Sequence, residues 1–240
     1  MMDELFAGLQ RLLPQHALSR LAGRLARAHT PWLRQLLIRT FVRVYGVDMG
    51  EAEEPDPDRY ACFNDFFTRA LRDDARPLDP HPDAVLSPAD GTVSQAGTID
   101  GDLLLQAKGT RYRLDALVGP RDAADFYGGS FATIYLAPQD YHRVHLPASG
   151  TLTATTAIPG ALLSVNARTE AAVTDLFCRN ERLVCRFETE HGPMLVVLVG
   201  AMIVASIETV WGGPASPYRE TVRHPWHQPL QRGAEIGRFL

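Results

Sequence analysis

The sequence predicts an α+β protein: a mainly antiparallel β body, sandwich- or barrel-like, preceded by amphipathic helices. Two patterns carry this. From Ala84 onward the chain breaks into short apolar runs separated by Gly, Pro, Asn and Asp, the signature of closely spaced strands. Before residue 47 the apolar residues instead recur at helical spacing. Charge divides the chain in the same way: residues 1–46 hold seven arginines against Asp3 and Glu4, a balance of +5, so a total of −4 leaves −9 for the remainder. A basic end on an acidic body is suited to meeting an anionic surface with that end alone.

Leu5, Leu9, Leu12 and Leu13 form a first helical stripe before Pro14, and Leu18, Leu21 and Leu25 form a second opposite Arg20, Arg24 and Arg27. A third helix is expected to start at Thr30-Pro31, run through Leu33, Leu36, Leu37, Thr40, Phe41 and Val44, and stop at Gly46. Such stripes either pack on the protein's own core or lie in a headgroup boundary with arginines at the rim. Residues 47–60 form an acidic linker, with six acidic residues and two prolines between Asp48 and Asp58, and a third region, 61–240, holds the β body. It opens on a short helix from Phe63, with Asn64 or Asp65 as cap.

Strands are expected at Val85-Leu86, Gly91–Ala96, Leu103–Gln106, Phe131–Ala137, Gly150–Thr156, Leu183–Glu188, Met194–Val199 and Ile203–Val210, and Gly237–Leu240 reads as a strand just beginning. The longest uncharged apolar run, Met194 to Ile207, falls short of the ~20 residues that a membrane-spanning helix needs. Cys62, Cys178 and Cys185 are odd in number and lack Cys-x-x-Cys spacing, which argues against a disulfide framework and a thiolate zinc site and favours a reducing compartment. The opening Met-Met-Asp-Glu is unlike a secretory signal.

Chemistry concentrates in Tyr141-His142-Arg143-Val144-His145-Leu146-Pro147, which follows Pro138-Gln139-Asp140. Two histidines beside an aspartate suit proton transfer, a metal half-site or a purely structural role. On a regular strand His142 and His145 would point to opposite faces, so a shared pocket needs an intervening turn or bulge. No third ligand cluster accompanies the pair, so a metal is the weaker option. Asp90, in Ser87-Pro88-Ala89-Asp90-Gly91, reads either as a turn residue bonding its own backbone or as a carboxylate that orients a histidine.

Taken in order, several stretches resemble the bacterial membrane-associated phosphatidylserine decarboxylases. They are Phe66-Phe67-Thr68-Arg69 with Arg76-Pro77, the Ser87–Gly91 turn, Gln106-Ala107-Lys108-Gly109, the Tyr141–Pro147 stretch, Leu163-Ser164-Val165-Asn166, Val199-Gly200-Ala201 through Glu208-Thr209-Val210-Trp211, and Gly233–Phe239. The resemblance implies a proenzyme that cuts itself within Leu-Gly-Ser-Thr and turns the serine into a pyruvoyl group, with Leu240 as the leucine of that motif. This chain is then the large β chain, and its partner is a small α chain carrying the pyruvoyl cofactor.

Asp90 and His145 match the family's charge-relay residues for the cleavage, with Asp140 helping to orient the imidazole. His142 is the implied acid for decarboxylation, which proceeds through a Schiff base between the pyruvoyl carbonyl and the amine of phosphatidylserine. The resemblance also implies a peripheral location on the cytoplasmic side of the cell membrane, through an anionic lipid surface met by residues 1–46. It requires no metal and no nucleic acid, and it is compatible with a homodimer of the two-chain units. Two alternatives stand beside it. The Ser-Pro-Ala-Asp-Gly-Thr-Val and Gly-Ala-Glu-Ile-Gly turns resemble those of barrel-sandwich carrier modules, and a non-catalytic membrane-binding relative would share the same pattern.

Overall fold

The computed structural model describes residues 14–107, 110–204, 206–214 and 216–240, so the expected helix over Leu5–Leu13 and the pair Lys108-Gly109 lie outside the described residues. The next two helices form where the periodicity places them: α1 spans Gln15–Ala26 and α2 spans Pro31–Tyr45. Pro31 opens α2 because its missing N–H is one that a first turn leaves unpaired anyway. Gly46 closes it in the left-handed region at φ 66°, and the Val47 N–H returns to the Val42 carbonyl. A further helix, α3 (Phe63–Phe67), starts from Cys62; Asn64 and Asp65, the expected caps, sit inside it instead.

The acidic stretch is less loose than a linker. Asp48 and Asp56 cap two single 3-10 turns, Ala52 is buried, and the backbone of residues 51–53 bonds that of residues 70–72. Arg39 of α2 pairs with Asp58, and Arg34 donates to the Asp58 carbonyl, so part of the basic charge is spent inside the chain. Ile38 of α2 is fully buried with Val47, Phe66 and Phe67, and Phe41 packs edge-on to Phe63, Phe66 and Phe67.

The β body comprises β1 (Thr92–Thr98), β2 (Leu103–Ala107), β3 (Thr110–Arg113), α4 (Leu114–Val118), α5 (Pro120–Ala123), β4 (Ser130–Tyr135), β5 (Arg143–His145), β6 (Gly150–Ile158), α6 (Ala167–Ala172), α7 (Leu176–Arg179), β7 (Arg182–Thr189), β8 (Gly192–Val199), β9 (Ile207–Thr209), β10 (Val222–Leu230) and β11 (Glu235–Phe239). All named strand pairs are antiparallel, in four separate sheets ordered β1-β4, β2-β3, β10-β6-β7-β8 and β5-β11-β9; none closes into a barrel.

The four-stranded sheet is covered on both faces. Along β7, Leu183, Cys185 and Phe187 join a core with Val144 and Leu146 of the β5 segment and Ile236 of β11, while Val184 faces a second core with Leu104, Tyr112, Leu117 and Phe177. A strand sandwiched in this way reads as a continuous apolar run, which is why β7 and β8 are so legible in the sequence.

The differences from expectation have local causes. Val85-Leu86 is extended but joins no named strand, although the Leu86 N–H bonds the Pro147 carbonyl at 3.0 Å. The expected run Ile203–Val210 narrows to Ile207–Thr209, because Ile203 adopts φ +73° and the chain turns there. The β10 strand carries Pro225 and Pro229 and has no strand signature, yet it forms at the edge of its sheet, where a missing N–H is tolerated.

Candidate active site

Strand order determines what meets at the site. The β11 strand lies between β5 and β9, with Glu235 opposite His145 and Arg238 opposite Arg143. Continuing past β11, the Phe239 N–H bonds the His142 carbonyl at 3.0 Å and the Leu240 N–H bonds the Ser206 carbonyl at 2.8 Å. The antiparallel register therefore brings Leu240 to the His142 end of β5, and His145 sits toward the other end, three residues or ~10 Å away.

The two histidines do not share a pocket. His142 lines a cavity of ≈ 2010 Å³ together with Val144, Ser206, Phe239 and Leu240; its walls continue over β1, β4 and β8 to α1 and α2. The lining is mostly apolar, including Phe67, Phe126, Phe131 and Leu195. His145 and Asp90 are not part of that lining. The turn before β5 supplies the expected departure from strand geometry, but alternation along the strand still separates the rings.

Each imidazole has a fixed tautomer, since a carbonyl only accepts. His142 Nδ1 donates to the Asp140 carbonyl at 2.7 Å, and His145 Nδ1 donates to the Gly233 carbonyl at 2.8 Å. In the neutral form of either ring Nε2 is then the unprotonated nitrogen. That of His145 accepts the Tyr141 hydroxyl at 3.2 Å. His142 is 3% exposed, and burial, reinforced by the positive charge of Arg69, pushes its pKa down to about 4; the Asp140 carbonyl opposes this. His142 is thus a neutral base-form imidazole at neutral pH.

Asp140 does orient an imidazole, but the ring is that of His142 and the orienting atom is the main-chain carbonyl. The Asp140 carboxylate instead accepts the Ala137 N–H at 2.7 Å and closes the turn. Asp90 is brought beside His145 by backbone, through a 2.7 Å bond from the His145 N–H to the Pro88 carbonyl. Its carboxylate, however, is engaged by Arg76, with Nε 3.0 Å from both oxygens and Nη2 2.7 Å from Oδ2. Arg76 also grips Glu51 at 2.8 Å and holds that carboxyl below its ordinary pKa. No Asp90–His145 hydrogen bond is formed, which departs from the expected relay. Gly91 makes the turn possible: its φ is +147°, and a Cβ there would come within 2.3 Å of the Tyr135 carbonyl oxygen.

Residues to which the sequence assigned no role complete the site. Phe67 packs on the His142 ring, Tyr141 occupies the free nitrogen of His145, and buried Asn180 ties two loops of the cavity wall by donating to the Leu163 and Gly200 carbonyls at 2.8 and 2.9 Å. Phe67 and Tyr141 were visible as aromatic neighbours of charged groups in the sequence; Asn180 carried no signal. Among the described residues no group of three or more His, Cys, Asp or Glu side chains is arranged to hold a metal.

Comparison with known proteins covers the whole of this architecture. Residues 63–240 match the family described as Phosphatidylserine decarboxylase, and residues 5–46 match a second family described as PSD. The chain is 55% identical over 249 residues to the phosphatidylserine decarboxylase proenzyme of Azotobacter vinelandii, covering all of this chain and 87% of that protein. It is 54% identical to the proenzyme of Bordetella pertussis over 99% of this chain and 83% of the relative, and 52% identical to that of Stutzerimonas stutzeri over 100% and 84%. With its C-terminal strand, its paired histidines and its apolar cleft all inside the matched region, the chain belongs to the phosphatidylserine decarboxylase family and corresponds to the β-chain region of the proenzyme.

Proposed function

We propose that this chain forms the β chain of an enzyme that converts phosphatidylserine to phosphatidylethanolamine and CO2. The observation that carries the reading is that His142, a base-form imidazole, and Leu240 line one large apolar cavity, with the Phe239 N–H bonded to the His142 carbonyl. The cavity is long enough to take acyl chains as well as a headgroup, and its apolar lining suits a lipid. The carrier-module alternative is not favoured, because the match along the chain is to decarboxylase proenzymes.

A pyruvoyl group on the serine two residues beyond Leu240 would fit this setting: Leu240 and His142 line an apolar wall, and a small carbonyl needs no charged cradle. When bound, it supplies the electron-withdrawing carbonyl that lets a substrate amine release its carboxylate as CO2. The chain's own residues do the rest. His142 Nε2 takes a proton from the substrate ammonium, whose charge is itself disfavoured in an apolar cleft. The buried imidazolium is then a strong donor, and it returns the proton to the carbon that CO2 has left. The acid assigned to His142 is in this sense a shuttle: it starts unprotonated at Nε2 because burial depresses its pKa, while its Nδ1–H is held by the Asp140 carbonyl. The apolar walls exclude water, so the carbon is protonated from the imidazole.

For the maturation step, His145 is the base that removes the proton of the precursor's serine, with Asp90 as its supporting carboxylate. The fixed tautomer, with Nδ1–H on Gly233 and a basic Nε2, supports this role. Cleavage requires Tyr141 to yield that nitrogen, Asp90 to move from Arg76, and the precursor's serine to turn back from the His142 end of β5 toward His145.

Membrane docking through α1 and α2 completes the reading. Leu21, Leu25 and Trp32 are 55%, 46% and 67% exposed, and the buried residues of α1 are the polar Gln15 and Ser19. An amphipathic helix that bonds the body by its polar side and shows its leucines outward, with Arg20, Arg24 and Arg27 also exposed, has the character of an interfacial anchor. No helix among the described residues is long and apolar enough to cross a membrane.

The test is expression of the full reading frame followed by intact-mass analysis and turnover of serine-labelled phosphatidylserine in mixed micelles. Two chains, hydride- and amine-dependent labelling of the small one, and release of labelled CO2 are expected. A processed two-chain protein that releases no CO2 would overturn the assignment.

A further inference from the structure

His142 sits on a turn, and two arginines reach across it in opposite directions. Arg69, just beyond α3, donates its Nη2 to the Gln139 carbonyl at 3.2 Å. Arg143, the first residue of β5, donates its Nε to the Thr68 carbonyl at 2.9 Å. Each side chain thus bonds the backbone of the segment that carries the other. Inside the loop they close, the Phe67 ring lies against the His142 ring with centroids 4.0 Å apart. Arg143 also binds Glu235 of β11 at 2.9 Å, which links the closure to the strand that runs to Leu240.

A surface ion pair of this size would count for little, but Arg69 is buried. A buried cation is retained against a large desolvation cost, and that burial lowers its own pKa. Its guanidinium lies 5.5 Å from the Phe66 ring centroid, and its Nε has no hydrogen-bond partner. A leucine or methionine of similar volume would satisfy the packing without these costs, so stability alone does not account for an arginine here.

We propose that Arg69 and Arg143 form a reciprocal clamp that positions His142, with the Phe67 ring as the surface against which the imidazole is held. All three act through His142 and do not touch substrate. The functional consequence rests on the reading of His142 as the proton shuttle; the geometry of the clamp does not. The charged and titratable groups around His142 are Arg69 from the α3 side, Asp140 on its own turn with its carboxylate directed to the Ala137 N–H, and Arg143 with Glu235 on β5 and β11. Arg69 places a positive charge near the ring, so it both fixes the imidazole and adds to burial in disfavouring its protonated form.

The test uses the processed two-chain enzyme with labelled histidine, following the His142 ring by NMR through a pH titration alongside steady-state turnover. In Arg69→Met the His142 midpoint is expected to rise measurably from about 4, with burial still holding it below the ordinary histidine range, and kcat to fall roughly tenfold or more with KM within about twofold. Arg69→Lys keeps the charge and one donor and is expected to restore the low midpoint. Arg143→Met releases the other arm and is expected to shift the midpoint in the same direction. A folded Arg69→Met or Arg143→Met protein with the wild-type midpoint and kcat overturns the clamp. Failure of both of these and of Arg69→Lys to fold also overturns it, since the arginines would then serve folding and not positioning. The NMR midpoint is independent of turnover: a catalytically competent His142→Ala enzyme would refute the shuttle and leave the clamp to be judged on the titration.

Discussion

The imidazole of His142 lies on the ring of Phe67, centroids 4.0 Å apart and planes inclined by 36°. This contact joins two stretches far apart in sequence and covers one face of the buried imidazole on the cavity wall. Everything that makes His142 chemically distinct from His145 follows from it: one ring is buried against an aromatic, the other is half-buried and bonded to a hydroxyl.

Burial has a consequence for acid stability. His142 titrates at about 4 in the folded chain against 6.5 when unhindered, so between these values the unfolded chain binds more protons. Stability from the neutral ring is fully present above about 6.5 and declines as pH falls toward about 4, by roughly 3 kcal/mol at most. Denaturant melts across this range should show a steeper acid decline for the wild type than for His142→Gln. Parallel curves would contradict the depressed pKa.

Removing the imidazole itself separates the two reactions. His142→Gln is expected to lower kcat for phosphatidylserine by ~10²- to 10⁴-fold, the usual worth of a positioned acid or base, while the precursor still divides into two chains. Gel analysis of processing and CO2 release read the two outcomes. Lost processing with intact turnover of any mature enzyme would reverse the roles of the histidines.

Tyr141→Phe vacates His145 Nε2 and leaves the ring packing in place. Without a donor on it, that nitrogen no longer has to exchange one hydrogen bond for another when it takes the serine proton. At about 1 kcal/mol for the bond, precursor cleavage should accelerate roughly fivefold in a pulse-chase. Slower cleavage would make the tyrosine a participant instead of a competitor.

On α1, Leu21→Glu and Leu25→Glu should leave the folded core unchanged, since both side chains are exposed, and should weaken binding to anionic vesicles by roughly 10-fold or more each, in line with ~1.5–3 kcal/mol for burying a leucine. Sedimentation with vesicles reads the binding and thermal melting reads the core. Unchanged sedimentation of the double variant would remove α1 from the docking surface.

Asn180→Leu tests the wall of the cavity. It strands the N–H and carbonyl of Leu163 and the carbonyl of Gly200, each buried polar group costing about 1–3 kcal/mol when left unpaired. A loss of at least 2 kcal/mol in denaturant unfolding is expected. A smaller loss would show that the two loops hold each other without it.

Helices α1 and α2 were legible because their signals are local: a 3.6-residue period, a proline at a first turn, a glycine at a stop. The strands β6, β7 and β8 were legible because burial on one or both faces leaves its mark on every residue. The pair His142 and His145, their neighbour Asp140 and the turn at Asp90 also stood out, since turn chemistry and titratable clusters are written in short stretches. What the sequence by itself determined is therefore the helices α1 and α2 followed by the main β strands, the family resemblance and the residue types available for proton transfer.

Tertiary structure alone decided how those residues divide. The register of β11 against β5 brings Leu240 to His142 and not to His145, and a hydrogen-bonding register between strands some 90 residues apart has no local code. Asp90 went to Arg76, and Asp140 served through its carbonyl, because a charged fork and a ring N–H each took the nearest acceptor that the fold presented. The opposite fates of the two rings, one sealed by Phe67 and one capped by Tyr141, rest on packing between distant segments, which residue identity permits and only the assembled chain selects.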